Sequence, residues 1–279
     1  LQQLPKAYQL AIQAAIAAAK VIMEIYQQDF SFLDKTDGSP VTQADLASST
    51  IIEQYLSPLG IPITGEESAK APFELRQSWT QSWCIDPLDG TKEFIKRNDE
   101  FVINIALIEN GKPIFGLIAS PVQEEILIGS KEIGVFVLHF KDVAQIENWK
   151  QLGVPEKINK PLVMTCSRSH HSGPVLQIIN ALKAEGHELD YIKKGSALKF
   201  FDLATGRADI YPRFAPTMEW DIAAGQAILE ALGGEVLHAE TGEPLTYNKA
   251  NLVNPYFVAR TKALREHKSS ALPSNRFLQ

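Results

Sequence analysis

The segment Trp83-Cys84-Ile85-Asp86-Pro87-Leu88-Asp89-Gly90-Thr91 constrains this chain more than any other. Its apolar start reads as a buried strand. Pro87 lacks a ladder donor, which predicts that the strand ends at Asp86. Asp89, the Leu88 carbonyl and the Thr91 hydroxyl are then crowded into one tight turn. Hard oxygen donors on such a rigid mount suit a divalent cation such as Mg²⁺. Gly90 permits close backbone approach, and a helix starting at Thr91 would turn its N–H groups toward an anion, with phosphate the natural candidate. The competing reading is a plain turn, because Asp-Pro and Asp-Gly pairs are frequent turn formers.

The rest of the chain weighs between the two. Its 279 residues can bury a substantial core, and 45% hydrophobic with 22% charged residues is ordinary for a globular protein. With 27 Lys and Arg against 33 Asp and Glu, the net charge of −6 argues against a nucleic-acid polymer as partner, although a small nucleotide needs only a local cation cluster. Cys84 and Cys166 lie in apolar segments without C-x-x-C spacing, which fits reduced thiols in the cytoplasm better than disulfides or zinc. No secretory leader is legible, and no apolar stretch reads as uninterrupted enough to span a bilayer.

Apolar residues at Ala7, Leu10, Ala11, Ala14, Ala18, Val21, Ile22 and Ile25 predict a helix over 6–28. After a polar turn through Asp37, a second helix is expected near Thr42, with Asp45 three residues on in a capping-box pattern. Residues 101–140 read as an antiparallel meander, with Asn110-Gly111 as a hairpin turn. A joint is expected within 141–161. It divides an N-terminal α+β domain, 1–158, from a C-terminal α/β domain, 159–279, in which strands and helices alternate.

Other carboxylates stand at loops and helix ends. Thr64-Gly65-Glu66-Glu67-Ser68 follows a strand-like run, and Trp220-Asp221 opens an alanine-rich helix. Singly, these are a solvated turn and a helix cap. Jointly, Glu66, Asp86, Asp89 and Asp221 could converge in a crevice between the two halves, where only protonation or cations would make their charges tolerable. Two bound metal ions about 3.5–4 Å apart would clamp the attacking and leaving oxygens of an in-line displacement at phosphorus.

"TGEES" at 64–68, "DPLDGT" at 86–91 and "WDIAAG" at 220–225 resemble, in order and spacing, the three signatures of the inositol monophosphatase superfamily of Mg²⁺-dependent, lithium-sensitive phosphatases. The resemblance runs from about residue 7 to 260. Within the superfamily, "KTDGSPVTQAD" at 35–45, "DPLDGTKEFI" at 86–95, "SRSH" at 167–170, "GSALKF" at 195–200 and "YPRFAPTMEWDIAAGQAI" at 211–228 are most similar to the CysQ type of 3′(2′),5′-bisphosphate nucleotidase. The resemblance implies a layered αβαβα sandwich and Mg²⁺-dependent hydrolysis of 3′-phosphoadenosine 5′-phosphate (PAP) to AMP, with PAPS as a further substrate. Inositol phosphates and sugar bisphosphates are the alternative substrates. A non-catalytic Ca²⁺- or nucleotide-binding module is the rival of a different class.

Carried onto this sequence, the resemblance assigns Glu66, Asp86 and the Leu88 carbonyl to one Mg²⁺ and Asp86, Asp89 and Asp221 to a second, within a total of two or three ions. The scissile phosphate falls to Asp89, Gly90 and Thr91. Thr91, hydrogen-bonded to Asp45, would help Glu66 orient and deprotonate a water. Substrate contacts are expected from Glu66, Leu88, Ser167, His170, Ser196, Lys199, Arg213 and Asp221, with Lys199 and Arg213 as cations for the second phosphate. Ala215 and Gln226 replace a usual glycine and a frequent histidine, departures expected to touch substrate preference rather than metal binding. The resemblance further implies a monomer or homodimer in the cytoplasm, free or peripheral on the inner face of the cell membrane, with no integral membrane segment.

Overall fold

Successive side chains of a strand point to opposite faces, so strands that are apolar throughout require a layer on each side. Two such sheets organise this chain. A computed structural model describes residues 3–35, 40–166 and 173–267. Helix α1 (Lys6–Tyr26) is followed by the hairpin β1 (Phe32–Asp34) and β2 (Pro40–Thr42), and then by α2 (Gln43–Leu56). Next come β3 (Ile63–Gly65), α3 (Phe73–Arg76), β4 (Gln81–Asp89), α4 (Thr91–Ile95), β5 (Val102–Glu109), β6 (Lys112–Ser120), β7 (Glu125–Ser130), β8 (Gly134–His139) and β9 (Lys150–Gln151). The remaining elements are β10 (Leu162–Cys166), α5 (Pro174–Ala184), β11 (Leu189–Lys193), α6 (Leu198–Ala204), β12 (Ile210–Arg213), α7 (Glu219–Ala231), β13 (Glu235–His238), β14 (Phe257–Arg260) and α8 (Lys262–Glu266).

Among the described residues, β3 to β9 form one sheet in sequence order, antiparallel except for the parallel β3–β4 pair. The second sheet has the order β11-β10-β12-β14-β13, parallel on the β11–β10–β12 side and antiparallel beyond it. Trp83, Ile85, Ile103 and Ile105 face α1 and α2, whereas Cys84, Val102 and Ala106 face α6 and α7. Tyr211, Phe257 and Ala259 of the second sheet close on those same helices, and Met164, Ile210 and Val258 point away to α5. The layers are therefore αβαβα, as the resemblance implies.

Local chemistry explains most boundaries. Thr42 caps α2 through its hydroxyl and receives the Asp45 carboxylate on its own N–H, in the capping box that the sequence predicts. Asn110 and Gly111 both take positive φ, 49° and 74°, as a tight hairpin of this twist requires. Two expectations need correction. Strand β4 does not end at Asp86; it runs to Asp89, with a shift of register between Asp86 and Asp89. Pro87 falls inside that irregularity, where no ladder donor is required. Helix α1 is long and apolar enough to cross a membrane by length and composition, contrary to the sequence reading. Its Ala11, Ile12, Ala15, Ala18, Ala19 and Ile22 are instead wholly buried against the first sheet and α2.

One helix sits unusually close to the sheet. A Cβ added to Gly116 of β6 would lie 2.0 Å from the Ala224 carbonyl oxygen of α7, and one added to Gly225 would lie 2.2 Å from the Phe200 ring. Absent side chains thus set the depth at which α7, and Asp221 with it, rests on the sheet that carries Asp86 and Asp89. Gly116→Ala is expected to destabilise the fold by about 3 kcal/mol, because the atoms the new methyl would meet are Ala224 backbone, which cannot turn aside as a side chain could. A urea midpoint equal to that of the parent chain would refute this packing.

Candidate active site

Four chain segments supply the carboxylates. The irregularity in β4 holds Asp86 and Asp89. Leu88 N–H donates to Asp86 Oδ1 at 3.0 Å, and Ser48 of α2 braces the bend by donating to the Pro87 carbonyl at 2.7 Å. Gly90 then turns the chain at φ 100°, where a Cβ would lie 2.9 Å from the Glu100 carbonyl. Its glycine is required by that backbone crossing. Helix α4 begins at Thr91 and lasts five residues. Thr91 Oγ1 donates to Asp45 Oδ1 at 2.8 Å, and Asp45 Oδ2 takes the Thr42 N–H and hydroxyl at 2.8 and 2.6 Å.

Asp221 is the third residue of α7 rather than its opening residue, and its Oδ2 accepts the Met218 N–H at 2.8 Å. Asp89 is reached from two elements: Asn104 of β5 donates to its Oδ2 at 3.1 Å, and the Ala197 N–H at the start of α6 donates to the same atom at 2.7 Å. Glu66, just after β3, pairs with Lys35 at 2.8 Å, and the same ammonium bonds Glu67.

These groups sense one another. Burial pushes Asp86 well above the usual carboxylate range, and the charges of Glu66, Asp89 and Asp221 push it the same way. Burial, followed by the Asp89 charge, raises Asp221 to about 8. Asp89 is raised by burial to about 6, against the downward pull of Lys199, Asn104 and the Ala197 N–H. Among the described residues no three acidic, His or Cys groups are already drawn to ligand spacing around one point. The donors nonetheless fit a divalent cation: they are hard oxygens in a buried setting that cannot all ionise without added positive charge, and an ammonium already neutralises Glu66.

Beside them opens a cleft of about 300 Å³, lined by Asp89, Gly90, Asp221, Ser196, Lys199 and Arg213 together with Lys92, Lys194, Tyr211 and Thr217. Ser196 adopts φ 46°, and its buried hydroxyl has no hydrogen-bond partner among the described residues. Lys199 is buried rather than exposed; its Nζ donates to the Lys194 and Ser196 carbonyls at 3.1 and 2.6 Å. Burial lowers it to about 8, opposed by Asp89. Arg213 Nη2 reaches the Pro216 carbonyl at 3.4 Å.

Ser167 and His170 lie outside the described residues. Gln226 does not line the cleft. It is buried in α7, accepting from the Tyr247 hydroxyl at 2.6 Å and donating to Glu230 at 2.8 Å, so its difference from histidine acts within the core. Lys92, Lys194, Lys35 and Asn104 were not singled out by sequence reasoning. Lys92 and Lys194 sit within or beside quoted motifs, whereas nothing local marks Asn104 in its apolar strand.

The model for the inositol monophosphatase family matches residues 3–272. The 3′(2′),5′-bisphosphate nucleotidase CysQ of Escherichia coli strain K12 is 39% identical over 255 residues, covering 88% of this chain and 96% of the relative. The crystal structure of CysQ from Bacteroides thetaiotaomicron, described as a bacterial member of that family, superposes with a TM-score of 0.80 at 38% identity over 91% of this chain and 96% of that one. An IMPase/NADP phosphatase solved with Mg²⁺ and phosphate shares the fold, with a TM-score of 0.72 at 18% identity over 93% and 92% of the two chains.

The raised carboxyls have a thermodynamic signature. Unfolded carboxyls titrate near 4, while folded Asp89 and Asp221 hold their protons to about 6 and 8. In this window the folded state binds more protons, so their contribution to stability falls as pH rises from about 4 to about 8. In EDTA, Asp221→Asn is expected to gain melting temperature relative to the parent across that range. A difference independent of pH would contradict the electrostatic assignment.

Proposed function

The chain belongs to the inositol monophosphatase family, and from that premise we propose that it is a 3′(2′),5′-bisphosphate nucleotidase. The proposed reaction is Mg²⁺-dependent hydrolysis of the 3′-phosphate of PAP to AMP and inorganic phosphate, with PAPS as a further substrate. The observation that carries this reading is one cleft lined both by the buried, raised carboxyls of Asp89 and Asp221, next to buried Asp86, and by the cations Lys199 and Arg213. The carboxylates suit a metal-bound phosphoryl group and the cations suit a second phosphate. The identity and coverage of the CysQ relatives support the nucleotide over other family substrates.

In this proposal two or three Mg²⁺ are held, one by Glu66, Asp86 and the Leu88 carbonyl and one by Asp86, Asp89 and Asp221. When bound, they would offset charge on the phosphoryl oxygens and lower the pKa of the attacking water. The backbone N–H groups of Gly90 and Thr91 orient the scissile phosphate. Thr91, whose hydroxyl proton is directed to Asp45, presents its oxygen lone pairs to the water, and Glu66 accepts the water's proton. As the new P–O bond forms, the bond to the 3′ oxygen breaks, and a second water polarised by Asp221 protonates that leaving oxygen. Ser196, with its unpartnered buried hydroxyl, is positioned to bond the substrate. The buried, reduced cysteines fit a cytoplasmic setting.

Purified protein with Mg²⁺ is expected to release phosphate from PAP far faster than from inositol 1-phosphate or fructose 1,6-bisphosphate. Equal or reversed rates would overturn the substrate while leaving the chemistry. Asp89→Asn is expected to lower turnover by roughly 100-fold or more, the scale of losing one charge-stabilising group; retained hydrolysis would remove Asp89 from the mechanism. Arg213→Ala should reduce kcat/KM for PAP by about 10- to 100-fold, the worth of one charged phosphate contact, and spare single-phosphate substrates. A uniform loss across substrates would exclude its role in reading the second phosphate.

A further inference from the structure

Asp221 hangs from the first turn of α7, where backbone groups lack helical partners and the chain is easily displaced. The preceding side chain but one, Glu219, is almost fully buried and reaches away from the cleft. Its Oε2 accepts the Asn248 N–H at 2.7 Å, and its Oε1 accepts the Lys249 N–H at 3.0 Å and Lys249 Nζ at 2.6 Å. Its own N–H donates to the Leu252 carbonyl at 3.0 Å.

Asn248, at φ 59°, forms a reciprocal pair with Arg76: its Oδ1 accepts from Nη1 at 2.8 Å and its Nδ2 donates to the Arg76 carbonyl at 2.6 Å. Arg76 is itself buried and also donates to the Lys249 carbonyl at 3.1 Å. It ends α3, which follows the loop that starts at Glu66. That loop returns to α7 through Lys70, whose Nζ donates to the Glu66 carbonyl at 2.6 Å and lies 5.2 Å from the centre of the Trp220 ring. The connections close a circuit between the backbone that carries Asp221 and the backbone that carries Glu66, and neither Glu219, Asn248 nor Arg76 lines the cleft.

We propose that Glu219 is a positioning residue for the metal site: with Lys249, Asn248 and Arg76 it locks the first turn of α7 to the Glu66 loop and so limits how far Asp221 and Glu66 can move relative to one another when metal binds. The inference rests on the metal reading above. A buried carboxylate with three donors is a rigid anchor, since any motion of the 248–249 segment away from it leaves charge unpaired in an apolar setting. Without the anchor, Asp221 and Glu66 still exist but must be ordered by the cation, so affinity for metal falls while the substrate's organic contacts are untouched.

The test uses the full chain stripped with EDTA and titrated with MgCl₂ by calorimetry, alongside PAP hydrolysis. Glu219→Gln is expected to weaken Mg²⁺ binding by about 10- to 100-fold. KM for PAP at saturating Mg²⁺ should stay within about twofold. Asn248→Gly, which keeps the positive φ and deletes only the link to Arg76, is expected to weaken binding in the same direction but less. It serves as the deciding variant if Glu219→Gln does not fold. Folded variants that bind Mg²⁺ like the parent overturn the inference, even if they melt earlier, because that pattern marks a merely structural clamp. A parent chain that takes up no Mg²⁺ overturns the metal reading and the inference with it.

Discussion

Repulsion between buried carboxylates is the constraint on which the rest of this structure depends. Asp86, Asp89 and Asp221 sit where burial alone disfavours their charges; the charges of Asp89 and Asp221 push Asp86 further up, and that of Asp89 does the same to Asp221. Left to itself, such a cluster separates or takes up protons. It persists because each member is fixed by groups of its own: the Leu88 amide on Asp86, Asn104 and the Ala197 amide on Asp89, and the Met218 amide on Asp221. The donors come from the first sheet and from the starts of the two helices packed on it, so the αβαβα layering is what keeps like charges together.

The depth of α7 completes that arrangement. A helix on a sheet normally stands off by the length of side chains, but Gly116 lets the α7 backbone approach that of β6. Gly225 admits the Phe200 ring of α6 on another side of the same helix. The contact brings Asp221 to the end of β4 without a long side chain having to reach. The cleft accordingly takes its lining from several elements: α7 and the end of β4 contribute Asp221 and Asp89, while α6 and β12 contribute Lys199 and Arg213.

Much of this was legible in the sequence because local chemistry specifies it. The meander β5–β8 follows from apolar runs broken by Asn110-Gly111, and α2 from its capping box. The three acidic motifs stand out because carboxylates beside apolar runs conflict with burial unless something offsets their charge. What escaped depends on distant partners. The extension of β4 through Pro87 relies on a register shift against β5, invisible from β4 alone. The resemblance marks Lys199 as a cation for a phosphate, but its burial, with two backbone carbonyls on the ammonium, depends on groups that no local pattern shows. β14 has no counterpart in the sequence reading: the register of Phe257–Arg260 against both β12 and β13, which lie far from it in the chain, is what makes it a strand.

The cluster also links folding to ligand binding. Without a cation, the folded state holds protons that the unfolded state would release, so a near-neutral medium weakens the fold at the place where function requires negative charge. A cation that binds only the assembled set reverses this, because its binding free energy adds directly to the stability of the folded state. Lys35, bonded to Glu66 and Glu67 from beside the β1–β2 hairpin, supplies part of that positive charge from within the chain. Burial tends to lower its own pKa, but bonds to the two glutamates outweigh this and keep it protonated. The hairpin is thereby tied to the ionisation of the site it borders.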